Sequence, residues 1–143
     1  MKIKLLDKQC KPMRAHKTDS GLDLRARIPE NTWLWPGEVK VIPTGIFIEL
    51  PPGHEAQVRG RSGWTQRGVI VPTGTIDNSY SGEIKVTVIN VTERKIELSP
   101  YDRIAQLVVC PVLVPEVAYV EELDIKLDIK DRGKNGHGST GVT

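Results

Sequence analysis

Several glycine-flanked stretches carry residue types that handle phosphates and water. Gly60-Arg61-Ser62-Gly63 runs into a one-turn helix pattern over residues 62–67. Arg61 can fork onto phosphate oxygens and Ser62 can donate a hydroxyl bond, while the glycines open the backbone to a ligand. The same residues also suit an ordinary turn. Residues 74–83, GTIDNSYSGE, read as a broad hairpin tip. Asp77 follows Ile76 near its start, where a carboxylate can take a proton from water, and Tyr80 offers a flat face to a sugar or base. The alternative is an Asx turn with Tyr80 covering the core. Asp23 stands between Leu22 and Leu24, so its charge calls for a metal-bound water, an arginine or backbone N–H groups, unless that strand face is solvated. Gln106 is a polar side chain in an apolar run and either serves a site or satisfies nearby backbone. The C-terminal stretch sets Arg132, His137, Ser139 and Thr140 among glycines. It reads as a clamp for phosphate and base or as a frayed terminus.

The elements that must position these groups read as strands. IKLL, LDLRA, EVKVIP, GIFIEL, EAQVRG, GVIV, EIKVTVINV, KIEL, RIAQLVV and VAYVEEL are separated by the turn signals PENT, WPGE, PTG, LPPGH, NSYSG and SPYD. Ile84, Val86 and Val88 alternate with Lys85 and Thr87, which predicts one buried face. The same alternation sets Asp102, Ile104 and Gln106 opposite Arg103, Ala105 and Leu107. GVIV and the strand that follows residue 83 are read as the arms of the hairpin. Many short strands with regular turns imply an all-β barrel, jelly roll or sandwich.

Composition sets outer bounds. The 143 residues suit one domain, and 38% hydrophobic with 27% charged residues argues against wholesale disorder. A net charge of +2 is too balanced for a general nucleic-acid binder or a polybasic membrane anchor. No apolar run reaches the roughly 18 residues of a membrane helix, and the start MKIKLL lacks the features of a signal peptide. Cys10 and Cys110 make no CxxC pair and the three histidines have no metal-site spacing. Two reduced thiols in a cytoplasmic protein is the expectation.

Taken in order, AHKTDSGLDLRA, GRSGW, GTIDNSYSGEI, YDRIAQL and RGKNGHGSTG resemble the five sequence motifs of the trimeric deoxyuridine triphosphatases, or dUTPases. WPGEVKVIPTGI fits as well, so the resemblance covers nearly the whole chain. It implies a jelly-roll-like β-barrel over residues 1–122 and a C-terminal arm, residues 123–143, that closes over a neighbouring subunit's site. It implies a homotrimer whose three active sites each draw on all three chains, with no nucleic-acid or membrane partner. The implied reaction is dUTP plus water to dUMP plus pyrophosphate, with Mg²⁺. That reaction keeps uracil out of DNA and supplies dUMP for thymidylate synthesis.

Residue by residue, the resemblance makes Asp77 the general base and Tyr80 the aromatic under the deoxyribose. The hairpin backbone from Val71 to Gly74 corresponds to the stretch that pairs with uracil's edge, and Ile76 to a further substrate-binding position. Arg61, Ser62 and Gly63 correspond to the phosphate loop, and Gln106 to a group that positions phosphate or water. Asp23 corresponds to the acid that holds Mg²⁺ through water. Arg132, Gly138, Ser139 and Thr140 correspond to the arm's clamp, and His137 to the ring stacked on uracil.

Four positions depart from common family residues. His137 stands for Phe, Tyr101 for Gly, Val71 for Asn and Trp64 for Leu. Tyr101 predicts an altered turn, and Trp64 a larger apolar wall beside the phosphate loop. A deaminase of the same fold, acting on dCTP, is the nearest rival. Its catalytic Glu would stand at Thr87, which offers no carboxylate for the proton shuttle. A partner-binding regulator is the second rival.

Overall fold

The computed structural model describes residues 1–123. The strands are β1 (Lys2–Leu5), β2 (Gly21–Arg25), β3 (Thr32–Leu34), β4 (Val39–Pro43), β5 (Ile46–Glu49), β6 (His54–Arg59), β7 (Val69–Ile70), β8 (Gly74–Ile76), β9 (Lys85–Asn90), β10 (Ile96–Leu98) and β11 (Arg103–Pro111). One short helix, α1 (Ser62–Gln66), follows β6. Antiparallel sheets in the orders β2-β11-β6-β8, β4-β9-β7, β1-β5 and β3-β10 wrap a common core in a jelly-roll-like, all-β fold. No helix among the described residues is long and apolar enough to cross a membrane.

With few aromatics available, aliphatic side chains fill the interior: Leu24, Leu34, Ile42, Ile46, Leu98, Ile104 and Leu107 are fully buried. The alternation at β9 holds, with Ile84, Val86 and Val88 inside and Lys85 and Thr87 turned away. Asn90 ends the same inward row. Its side chain donates to the carbonyls of Leu34 and Arg94 and accepts from the N–H and hydroxyl of Thr92, so this buried amide is satisfied. Cys10 and Cys110 are both free thiols.

Three strand expectations need correction. GVIV is not a full hairpin arm. Only Val69 and Ile70 pair with β9, and after Pro72 the chain crosses to pair Gly74–Ile76 with β6. Proline donates no ladder hydrogen bond, which suits a strand that changes sheets there. The alternation at the start of β11 is broken by a register shift between Arg103 and Ala105, so Ile104 and Ala105 are both buried. VAYVEEL forms no strand: the β11 ladder ends at Pro111, and Tyr119 beyond it is 96% exposed. Its apolar residues find no pairing strand among the described residues. A further strand, β3, lies just past the turn signal PENT, because Leu34 is carried into the core opposite Ile96.

The turn before β11 keeps the geometry that a glycine would take freely. Tyr101 has φ 65, in the left-handed region. Two contacts hold it there. Arg25 Nη1 donates to its carbonyl at 3.0 Å, and its hydroxyl donates to Asp7 Oδ2 at 2.8 Å. The Gln9 N–H, and then the Tyr101 hydroxyl, hold the Asp7 carboxyl below the ordinary carboxylate range, while Asp7 raises the Tyr101 phenol. A depressed carboxylate stabilises the fold above its unfolded pKa, and that contribution disappears as the pH falls through the folded value. Tyr101→Phe should therefore lower the thermal midpoint at neutral pH, by a margin that shrinks in acid. Melting curves of both proteins across the acid range check this.

Candidate active site

Strand register assembles one cleft. On β11, Gln106 lies opposite Asp23 of β2 on one side and Arg59 of β6 on the other. Paired positions put Cβ atoms about 5 Å apart on the same face. Leu22, Leu24, Val58 and Leu107 turn inward, leaving Asp23, Gln106 and the chain leaving Arg59 on the outer face. The loop before β2 closes one side, anchored where Asp23 N–H donates to the Met13 carbonyl at 2.9 Å. The cleft holds about 400 Å³ and is lined by Asp19, Ser20, Gly21, Asp23, Arg61, Ser62, Gly63 and Gln106, with Ala15 at its margin.

Arginines answer the charge on Asp23. Arg61 Nε lies 2.8 Å from Oδ1 and Arg103 Nη1 3.1 Å from Oδ2, and the Asp23 side chain is 15% exposed. Two guanidinium groups more than neutralise the Asp23 carboxylate, and with Asp19 also in the lining the charges balance. Arg61 Nη1 also donates to the Arg103 carbonyl at 2.7 Å. Helical hydrogen bonding in α1 begins with the Trp64 N–H, so the N–H groups of Ser62 and Gly63 precede it. A Cβ on Gly63 would meet nothing within 4 Å, so bare backbone faces the opening. Gln106 both lines the cleft and satisfies backbone, donating from Nε2 to the Gly60 carbonyl at 2.9 Å. Its side chain lies so close to Gly21 that any larger residue there would collide with it.

Asp77 and Tyr80 are elsewhere. Ile76 pairs with Ala56, which carries Asp77 to the end of β6 remote from Arg59. Strand spacings put it roughly 15 Å from Gln106, two strands across and four residues along. The Asp77 carboxylate is exposed and has no hydrogen-bond or ion-pair partner among the described residues. A turn closes behind it, with Tyr80 N–H donating to the Asp77 carbonyl at 3.0 Å. Asn78 Nδ2 donates to the carbonyls of Pro51 and His54, pinning the tip to the β5–β6 loop. Tyr80 is 44% exposed and so does not serve as core. Its hydroxyl donates to the Glu83 carbonyl at 3.0 Å, and its ring crosses Gly82 so closely that a side chain there would clash.

Val71 is buried, with Gly60 beside it, so its side chain supports the fold. Residues 71–73 lie outside every ladder, leaving backbone groups available between β7 and β8. Gly74 and Ile76 lie in β8. Arg132, His137, Gly138, Ser139 and Thr140 lie outside the described residues.

Sequence reasoning missed Asp19 and Ser20 in the cleft and Arg103 on Asp23. The need of Asp23 for a partner was legible, an arginine among the candidates, but which arginine meets it depends on register. Asp19 was visible as the second acid beside Gly21. Its Oδ2 accepts from the His16 N–H at 2.8 Å, which shapes the loop.

A family model described as dUTPase matches residues 8–141. Among known proteins, the chain is 46% identical over 131 residues to a deoxyuridine 5'-triphosphate nucleotidohydrolase from Anaeromyxobacter sp. (strain Fw109-5), covering 88% of this chain and 85% of that protein. It is 44% identical over 143 residues to the Crocosphaera subtropica protein of the same name, covering 98% and 96%. A solved Staphylococcus bacteriophage 80alpha dUTPase with dUPNHPP matches with a TM-score of 0.86 at 29% identity, covering 99% of this chain and 98% of that one. A mutant dUTPase from phage phi11 of S. aureus, described with a coordinated structural Mg(II) ion, matches with a TM-score of 0.78 at 27% identity, covering 87% and 98%. Five ordered motifs, a jelly-roll-like barrel and a family match along nearly its whole length agree: this chain belongs to the dUTPase family.

Proposed function

We propose that this chain hydrolyses dUTP to dUMP and pyrophosphate at sites shared between the subunits of a homotrimer. The observation that carries this reading is a division within one chain. Asp23, Arg61, Ser62, Gly63 and Gln106 meet in one polar cleft, while Asp77 and Tyr80 stand exposed at the far end of the same sheet. A second copy presenting its tip to the cleft brings both halves together. That relatives are named for dUTP hydrolysis, and that one was solved with dUPNHPP, supports the substrate.

The roles follow from the chemistry of each group. Arg61 forks onto phosphate oxygens, with the Ser62 hydroxyl and the N–H groups of Ser62 and Gly63 as further donors. Gln106, braced on Gly60, positions a phosphate oxygen or the attacking water. The neighbour's Asp77 takes the proton of that water as it attacks the α-phosphate in line, and pyrophosphate leaves with its charge held by the cleft. The unpaired backbone of residues 71–73, with Gly74 and Ile76 beside it, pairs with the uracil edge. The Tyr80 ring packs under the deoxyribose.

The barrel strands end at Pro111, within the unit read as residues 1–122, and residues 123–143 are read as an arm from a third chain. Arg132, Gly138, Ser139 and Thr140 of that arm clamp the outer phosphates, and His137 stacks on uracil, excluding water from the closed site. Deleting residues 132–143 should leave a folded trimer of little activity, as measured by light scattering and a turnover assay. Full activity in the truncated protein would remove the clamp.

Mg²⁺ suits the donors present. No set of three or more His, Cys, Asp or Glu side chains gathers for a metal among the described residues. Both Asp23 oxygens already face arginines, which favours contact through water, with the triphosphate supplying the remaining hard oxygens. Bound there, the ion would offset phosphate charge. Turnover should fall to background in excess EDTA and return with Mg²⁺ alone. Undiminished turnover in EDTA would exclude the metal. In this reading the enzyme acts in the cytoplasm on the free nucleotide pool. The deciding experiment is pyrophosphate release across dUTP, dTTP, dCTP and UTP.

A further inference from the structure

Trp64 lies in α1 beside the phosphate loop, and its indole N–H makes a hydrogen bond that an aliphatic side chain could not. The side chain is 7% exposed, and Nε1 donates to the Arg103 carbonyl at 2.8 Å. Arg61 Nη1 donates to the same oxygen at 2.7 Å. On the β6 side the β11 ladder starts only at Gln106, so the Arg103 carbonyl lies beyond the paired region and is taken by two side chains instead. A carbonyl oxygen offers two lone pairs, and these two donors fill both. The Arg67 guanidinium covers the indole ring at 4.4 Å from its centroid, holding the ring in place.

The consequence falls on Arg61. Its guanidinium is planar, and Asp23 at Nε together with the Arg103 carbonyl at Nη1 fixes that plane. One N–H of Nη1 and both of Nη2 remain to fork onto a phosphate. The position of the carbonyl therefore sets the direction of the fork, and the Trp64 N–H holds that carbonyl from its other side. The geometry points to Trp64 as a positioning residue, its indole N–H orienting the phosphate-binding arginine through a shared acceptor. The inference rests on the dUTPase reading above.

A double-mutant cycle tests it, with dUTP as substrate. Trp64→Phe keeps an aromatic ring and removes the donor. It should lower kcat/KM by about five- to twentyfold, the cost of one hydrogen bond to a charged network. Arg61→Lys, which loses the fork, should cost on the order of a hundredfold. The double variant should be no worse than Arg61→Lys alone, and the loss in Trp64→Phe should divide between kcat and KM as it does in Arg61→Lys. A change of less than twofold in Trp64→Phe, or losses that multiply, overturns the inference.

If Trp64→Phe does not fold, the wild-type protein decides. The Trp64 indole N–H resonance, assigned with Trp33→Phe and Trp35→Phe, should shift on adding dUPNHPP, and the shift should vanish in Arg61→Lys. An unmoved resonance overturns the inference. Failure of the parent reading looks different: wild type would not hydrolyse dUTP, or Arg61→Lys would keep full activity.

Discussion

Asp77→Asn should bind dUTP and lose turnover by about 10²–10⁴-fold, the usual cost of removing a general base. The amide keeps the size of the carboxylate but cannot accept a proton. Little in the fold depends on that carboxylate. Asp77 is exposed, and the turn behind it is held by its own backbone carbonyl and by Asn78. A folded trimer that keeps more than about a third of wild-type kcat would remove Asp77 from the role of base.

The same variant tests whether sites are shared. Arg61→Ala chains should also be nearly inactive, because the phosphate fork is gone. Refolded together in equal amounts, the two inactive proteins should recover roughly a quarter of wild-type activity. In a random trimer, one site in four takes Arg61 from an Asp77→Asn chain and Asp77 from an Arg61→Ala chain. If no activity returns although mixed trimers form, the two residues serve one site from one chain. The roughly 15 Å between the cleft and Asp77 would then have to close by a rearrangement within the chain.

Selectivity should be the second large effect, with dUTP preferred over dTTP, dCTP and UTP by about 10⁴ or more where a buried polar mismatch is involved. Each exclusion has its own cause. Backbone between β7 and β8 is tied at both ends by ladders, so it gives way little to the 5-methyl of thymine. Cytosine reverses donor and acceptor at its 4-position and N3, leaving polar groups unpaired at roughly 1–3 kcal/mol each. The 2′-hydroxyl of UTP meets the face of Tyr80, which is kept in place by its hydroxyl on Glu83 and by its close passage over Gly82. Tyr80→Ala should relax the sugar discrimination and leave the base discrimination largely intact. The measurement is kcat/KM for all four nucleotides in wild type and variant. Equal wild-type values for dUTP and dTTP would remove the substrate assignment. An unchanged UTP/dUTP ratio in Tyr80→Ala would remove only the role of the ring.

Much of the barrel was legible in the residues because a half-buried strand writes its own period. Ile84, Val86 and Val88 must leave water together, and a chain that alternates them with Lys85 and Thr87 can do so only when extended. The one-turn helix at Ser62–Gln66 was legible for the same local reason. Breaks in that period were not. The shift at Arg103/Ala105 and the crossing after Pro72 answer to the strands alongside, and the sequence does not say which strands those are. VAYVEEL has the residues of a strand, but a strand also needs a partner, and within the described chain it has none.

The chemistry divides in the same way. Residue type alone determined that a buried Asp23 needs a partner, that Arg61 suits phosphate and that Asp77 can accept a proton. The order of the five motifs determined the family. Only tertiary structure decided who meets whom. Arg103 is 80 residues from Asp23 in sequence and 3.1 Å away in space. Asp77 is far closer to Arg61 along the chain, yet the β6–β8 register carries it to the other end of the sheet. Side-chain chemistry is a local property, written in each residue. Proximity is set by long-range pairing, where the burial of Leu22, Leu24, Val58 and Leu107 fixes β2, β11 and β6 in register and brings Asp23, Gln106 and Arg61 to one cleft.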